Sequence, residues 1–264
     1  MITALYQMPA GIAPDARADA IETALREAAA AGAGLLVAPE LALSGYGRGP
    51  VLRDLAQQSG GPWYRRLHKV VQETGTALVA GFPERSGHTC YISAMVLCPD
   101  DGATPAAPQV YRKAMLYGGY EKGIFASDGP STVLFAWQGL KIGVLICFDI
   151  EFPENIRRLA LAGADMVVVP TALPAGASGA FTATRMIPVR AFENGIFVVY
   201  ANHCGTDERF TFQGMSSVTA PDGTVLASAS AENADLLFAD IDPAAYDHVR
   251  EVNPYLKDIS ETSQ

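Results

Sequence analysis

The chain has 264 residues, 49% of them hydrophobic and 18% charged, the balance of a folded globular protein rather than a disordered one. A formal net charge of -9 argues against the basic surface that a nucleic acid or an anionic membrane would need. Four scattered cysteines (Cys90, Cys98, Cys147 and Cys204) include no CxxC pair, so neither a zinc site nor a disulfide framework is expected.

The opening MITALYQMPAGIAPDA carries no basic region and no long apolar stretch, so no signal peptide is expected, and no apolar run reaches membrane-spanning length. The expectation is a reduced, cytoplasmic protein. In chain order, Ile2–Met8 reads as a buried strand and Asp15–Ala31 as a helix with Ala20, Ile21, Leu25 and Ala28 on one stripe. Gly34–Glu40 is a strand, and Trp63–Glu73 a helix carrying Leu67, Val70 and Val71. Ala77–Phe82 and Ile92–Cys98 are strands, with the turn signal SGHT at Ser86–Thr89 between them. A PDDG turn at Pro99–Gly102 and a short ATPAAP loop at Ala103–Pro108 follow, and PQVYRK runs up to Lys113.

Lys141–Cys147 is the next strand, then a helix at Pro153–Ala162 with proline in its first turn. Strand Asp165–Thr171 precedes a helix at Ala180–Asn194 that Pro188 should kink or restart. Strands Ile196–Asn202, Ser216–Ala220, Thr224–Ala229 and Leu236–Ile241 complete the pattern, with a PDG turn at Pro221–Gly223. The polar residues after Pro254 read as a C-terminal tail, an arm or partly disordered. Strand–helix alternation gives an α/β fold class with mixed sheets and helices covering the outside. One domain over residues 1–264 is expected, with 254–264 as its tail.

Three strand ends carry reactive groups: Glu40, Lys113 and Cys147. Open α/β sheets place ligands and catalysts at such ends. Together a thiol can attack, a carboxylate can carry the proton and an ammonium can hold an oxyanion. Singly each is bland: Cys147 as a core cysteine, Glu40 as a turn carboxylate, Lys113 as a surface charge. Their joint occurrence is the signal. The histidines His68, His88, His203 and His248 lie far apart, and none is assigned to a metal.

At these residues the chain resembles the nitrilase superfamily of carbon–nitrogen hydrolases. "APELALSGY" (Ala38–Tyr46) is similar to its glutamate segment, "YRKAMLYGGYEKGIF" (Tyr111–Phe125) to its lysine segment and "GVLICFDIEFPE" (Gly143–Glu154) to its cysteine segment. "RAFENGIFVVYANHCG" (Arg190–Gly205) and "FQGMSSVTAPDGTVLA" (Phe212–Ala227) match its later segments, in the expected order. The resemblance implies a four-layer α-β-β-α sandwich with two mixed sheets, and commonly a homodimer. It implies Cys147 as nucleophile, Glu40 as general base and acid, and Lys113 with the backbone N–H of Phe148 as oxyanion donors. Glu121 matches a second glutamate that positions substrate and supports the base. No cofactor and no metal are implied.

The cysteine context, Cys-Phe-Asp, differs from the Cys-Trp-Glu of true nitrilases and from the Cys-Asn-Asp of N-carbamoyl hydrolases, and looks like the amidase branches. The expected reaction is hydrolysis of a small carboxamide to acid and ammonia through a thioester. Nitrile or N-carbamoyl hydrolysis, or a non-catalytic binding subunit on the same scaffold, are the alternatives. Tyr46, Tyr117 and the TALPAG loop (Thr171–Gly176) follow or flank the catalytic strand ends and are expected to line the pocket, with Tyr46, Tyr117, Thr171 and Ala172 as candidate substrate-binding residues. Asp149 and Glu154 are expected to fix the turn. Lys113 should favour the Cys147 thiolate and two carboxylates should oppose it, so the thiol's resting state is left open. "FASDGP" (Phe125–Pro130) is one residue longer than the family's turn there, which alters the adjacent pocket wall.

Overall fold

Alternate residues along the strands face two different cores. On the strand β1 (Ile2–Pro9), Leu5 joins one cluster while Ala4 and Met8 join another. The same division separates Leu35 and Val37 from Leu36 on β2 (Leu35–Val37), and Val79 from Leu78 and Phe82 on β3 (Ala77–Ser86). A period of two with both faces buried is the mark of an inner sheet with a layer on each side.

The computed structural model describes residues 1–100 and 108–262. The end of the PDDG signal and the ATPAAP loop up to residue 107 lie outside the described residues. The first sheet continues from β3 into β4 (Thr89–Leu97) through the tight turn expected at Ser86–Thr89, where Gly87 takes φ +60°, and then into β5 (Gln109–Arg112). The second sheet begins with the hairpin of β6 (Leu134–Trp137) and β7 (Leu140–Val144), and adds β8 (Met166–Pro170) and β9 (Phe197–Ala201) in parallel. The chain then returns to the first sheet with β10 (His203–Thr206) and β11 (Thr211–Gln213). β12 (Ser217–Thr219) and β13 (Val225–Ser228) extend the second sheet, and β14 (Asp235–Asp240) pairs antiparallel with β1. The strand orders are β11-β10-β1-β2-β3-β4-β5 and β13-β12-β9-β8-β7-β6.

Helices α1 (Arg17–Ala30), after a 3-10 turn at Pro14–Ala16, and α3 (Pro62–Thr74) cover the outer face of the first sheet, burying Ile21, Leu25, Leu67 and Val71 against Leu36 and Phe82; the four-residue α2 (Leu52–Leu55) lies between them in the chain. α4 (Gly118–Lys122) follows β5. α5 (Pro153–Leu161) sets Leu159 against Gly143 of the second sheet, and α6 (Ala177–Phe181) and α7 (Ile187–Asn194) follow β8. The result is an α/β fold of two mixed sheets between helices, a four-layer sandwich in which the sheets share the larger core.

The helix expected to kink or restart at Pro188 does restart there: a π turn at Thr182–Met186 separates α6 from α7, and Pro188 sits in the first turn of α7, where a missing N–H is tolerated. Past Pro254, expected as a tail that is an arm or partly disordered, the chain is helical: after α8 (Asp247–Val252) it forms α9 (Tyr255–Thr262), supported by an i,i+4 pair of Lys257 and Glu261 at 3.9 Å. Among the described residues no helix is long and apolar enough to cross a membrane.

Candidate active site

Glu40, Lys113 and Cys147 each lie just past the end of a strand, where the ladder stops and a turn can aim a side chain sideways. Glu40 follows β2 by three residues and is fully buried. Its approach depends on Gly81 of β3. A Cβ there would stand 2.4 Å from the Leu41 nitrogen, 2.5 Å from the Pro39 oxygen and 2.7 Å from the Glu40 Cα. All three are backbone atoms, so nothing can swing aside. Gly81→Ala is therefore expected to displace Glu40 and lower kcat by about a hundredfold, the scale of a misplacement of about an ångström. Steady-state kinetics on the purified variant, beside its thermal transition, checks this; an unaltered kcat would show that Glu40 needs no such fit.

Behind Glu40 the His203 ring is buried, and burial followed by the nearby Arg17 charge pushes its pKa down to about 4. The neutral ring donates from Nε2 to the Glu40 carbonyl at 2.8 Å. His203 thus holds the backbone at Glu40. Buried Arg17 donates to the Ala10 and Ala42 carbonyls, fastening the loop that follows Glu40.

Lys113 continues β5 and reaches inward with its side chain fully enclosed. Its Nζ donates to Glu40 Oε1 at 2.8 Å and to Glu121 Oε1 at 2.7 Å. Burial works to lower the ammonium's pKa, but the Glu121 and Glu40 charges outweigh it and hold the group well above the ordinary lysine value. Glu121, on α4, also accepts from the Tyr46 hydroxyl at 2.7 Å and, through Oε2, from the Tyr117 backbone N–H at 2.6 Å. Burial raises the Glu40 carboxyl to about 7 against the pull of Lys113. Glu40 Oε2 is buried and without a hydrogen-bond partner among the described residues.

Cys147 opens a 3-10 turn at Cys147–Glu151, three residues past β7, with φ +47°. A side chain in this left-handed region costs on the order of 1–3 kcal/mol and survives only where the surroundings impose it. Asp149 imposes it. Its Oδ2 accepts from the Ile146 N–H at 3.1 Å and the Tyr111 hydroxyl at 2.9 Å, and its Oδ1 from the Met115 N–H at 2.7 Å. One carboxylate therefore ties the Cys147 turn to both flanks of Lys113. Glu154, by contrast, is exposed at the start of α5 and ties nothing in the turn. Burial, then the Glu40 charge, pushes the Cys147 thiol well above its usual range, while Lys113 pulls the other way. Burial and the Glu40 charge thus work toward the neutral thiol, against the pull of Lys113 toward thiolate.

Cys147 faces a cleft of about 250 Å³. Tyr46, Tyr117, Glu121, Phe148 and Ala172 line it, whereas Glu40 and Lys113 stand behind. The Phe148 N–H lies in the first turn after Cys147, where a helix leaves its N–H groups without partners inside the helix. The Tyr46 ring packs edge-on against Phe210 and Phe212 at 5.4 and 5.9 Å, which fixes its hydroxyl on Glu121. Thr171 is corrected: it is fully buried under the cleft, not on its wall, and its hydroxyl is spent on the Val169 carbonyl at 2.9 Å. The wall continues through Leu173–Gly176 into Ser178, Gly179 and Thr182, with Glu151 on the turn itself. Glu151, Ser178 and Thr182 escaped the sequence reading because no strand end or periodicity marks them.

A carbon-nitrogen hydrolase family model matches residues 2–251. A Pseudomonas protegens protein described as a hydrolase in the pqqF 5′ region is 41% identical over 86% of this chain and 78% of that one. A Pyrococcus abyssi nitrilase is 34% identical over 89% of this chain and 86% of its own. Among solved structures, a cysteine-to-alanine mutant of Nesterenkonia AN1 amidase, from the nitrilase superfamily, superposes with a TM-score of 0.83 at 32% identity, covering 98% of this chain and 93% of that one. Other structures of that amidase contain butyramide, or record Michael addition of acrylamide at the active-site cysteine.

Proposed function

The chain belongs to the carbon–nitrogen hydrolase family, and from that premise we propose that it is a cysteine-dependent amidase, converting a small carboxamide to a carboxylic acid and ammonia. One juxtaposition carries the reading: a thiol on a strained turn, facing a small cleft, beside a buried ammonium bonded to two carboxylates.

Cys147 attacks the amide carbon while Glu40 takes the thiol proton. An ammonium has three N–H donors, and Lys113 spends two on Glu40 and Glu121. The third is free for the oxyanion, with the Phe148 N–H as the second donor. Glu40 then passes its proton to the departing nitrogen, ammonia leaves and a thioester remains. A water attacks the thioester as Glu40 takes one of its protons; the acid departs and the proton returns to sulfur. Glu121 holds Lys113 and, through Tyr46 and Tyr117, the cleft wall. No step calls for a metal or an organic cofactor.

The base works only as a carboxylate. With its carboxyl raised to about 7, Glu40 is protonated and idle below that pH and competent above it. kcat/KM is expected to rise with pH through about 7 when ammonia release is followed from pH 5 to 9. A flat profile across that range would remove Glu40 from the role.

Identity to a nitrilase supports nitrile hydrolysis as the second reading. A panel of small carboxamides and matching nitriles separates the two. Ammonia from the amides is the expected result; ammonia from the nitriles alone would replace the proposal, and ammonia from neither would favour a binding subunit.

A further inference from the structure

One cleft carboxylate has no part in this chemistry. Glu151 ends the turn that Cys147 begins, and its side chain lines the same cleft, half-buried. Among the described residues, no ion pair or hydrogen bond reaches its carboxylate. Two cations act on it electrostatically, Lys113 and Arg190, and both are committed elsewhere. Lys113 is bonded to Glu40 and Glu121. Arg190 donates to the Ile150 carbonyl at 2.8 Å, to the backbone carbonyl of Glu151 at 2.7 Å and to Glu193 at 3.0 Å. The cleft's other lining carboxylate, Glu121, accepts three hydrogen bonds. No Lys, Arg or His is among the described residues that line the cleft.

A carboxylate removed from water without a counter-ion is costly to keep. Here burial raises its pKa against the pull of Lys113 and Arg190, neither of which bonds the carboxylate. The same position, an acid facing a small space beside a nucleophile, favours any cation that enters with the substrate. Around it the wall is apolar at Leu173, Pro174 and Ala175, suited to a short carbon chain. The volume, about 250 Å³, lies below the range of about 300–1,000 Å³ usual for drug-sized ligands.

We propose that Glu151 is a specificity-determining residue that receives a protonated amine on the acyl part of the substrate, so that small amino-substituted carboxamides are preferred and carboxylate-bearing amides are turned away. This rests on the amidase reading above.

The test compares kcat/KM at pH 7 for butyramide, its 2-, 3- and 4-amino derivatives and the half-amide of succinic acid. In the wild type the best amino derivative is expected to exceed butyramide by about tenfold or more, the worth of one hydrogen bond to a charged group. The half-amide is expected to fall below butyramide. In Glu151→Gln the amino-to-neutral ratio is expected to drop toward one, and in Glu151→Lys the half-amide should overtake every amino derivative. Each readout is a ratio within one protein, so a general loss of rate from a disturbed turn cancels. A wild-type ratio near one, or a ratio unchanged in Glu151→Gln, overturns the proposal and leaves the amidase reading standing. Ammonia from none of these amides overturns both.

Discussion

Cys147→Ala is expected to lower ammonia release from a small carboxamide on the order of a million-fold, the scale seen when a serine hydrolase loses its nucleophile. The fold is expected to survive. Alanine and cysteine both carry a Cβ, so the φ of +47° is as strained in one as in the other, and the Asp149 hydrogen bonds that impose it involve no atom of the lost thiol. The free energy of unfolding measured in urea should therefore fall by no more than about 1 kcal/mol, the smaller end of the effect of deleting one buried group. Turnover by the alanine variant within tenfold of wild type would sink the covalent mechanism. A collapsed midpoint would instead mean that the sulfur is needed for packing.

Lys113→Met attacks both stability and rate. The ammonium is fully enclosed and holds Glu40 at 2.8 Å and Glu121 at 2.7 Å. Without it, two carboxylates share one buried site with no cation. Removing one partner of a buried pair costs about 3–5 kcal/mol, because the charges left behind cannot be rehydrated. The sign of the pH dependence follows. Glu40 already titrates near 7 in the fold, against an ordinary value of 4.5, and loss of the cation raises it further. A raised folded pKa contributes stability that is complete below the unfolded value and is lost as pH rises through the folded one. The variant's deficit in urea is thus expected to be larger at pH 8 than at pH 5. A deficit independent of pH would show that the carboxylates do not feel the missing charge. Turnover should fall steeply as well, because the proposed oxyanion donor has gone and the proposed base is protonated.

The sequence made the inner strands legible because Val, Ile and Leu runs are buried on both faces. β10 and β11 escaped notice because HCGT and TFQ are short and polar. α9 was hidden in a segment that composition alone calls a tail; its partly buried Leu256 packs on the core and Tyr255 against Phe192. At the site, Glu40, Lys113, Glu121 and Cys147 could be named from strand ends and family resemblance, and the structure brings them together through two bonds to one ammonium and through a turn pinned by Asp149. Thr171, one residue past β8, is fully buried, and its hydroxyl turns back to the Val169 carbonyl rather than out to the cleft, which position at a strand end does not reveal. Gly81 and His203 carried no signal at all: their effect on Glu40 is a matter of backbone proximity across strands, which spacing along the chain does not encode.

Glu40 and Lys113 issue from one sheet and Cys147 from the other, and the Tyr111 hydroxyl crosses between them to Asp149 at 2.9 Å. The proposed nucleophile and base therefore belong to different halves of the folding problem. A chain in which either sheet has formed alone holds a thiol without a proton acceptor, or an acceptor without a thiol. On the proposed mechanism, turnover therefore requires both sheets to be formed and packed on their shared core, and a chain with either one unformed is expected to be inactive.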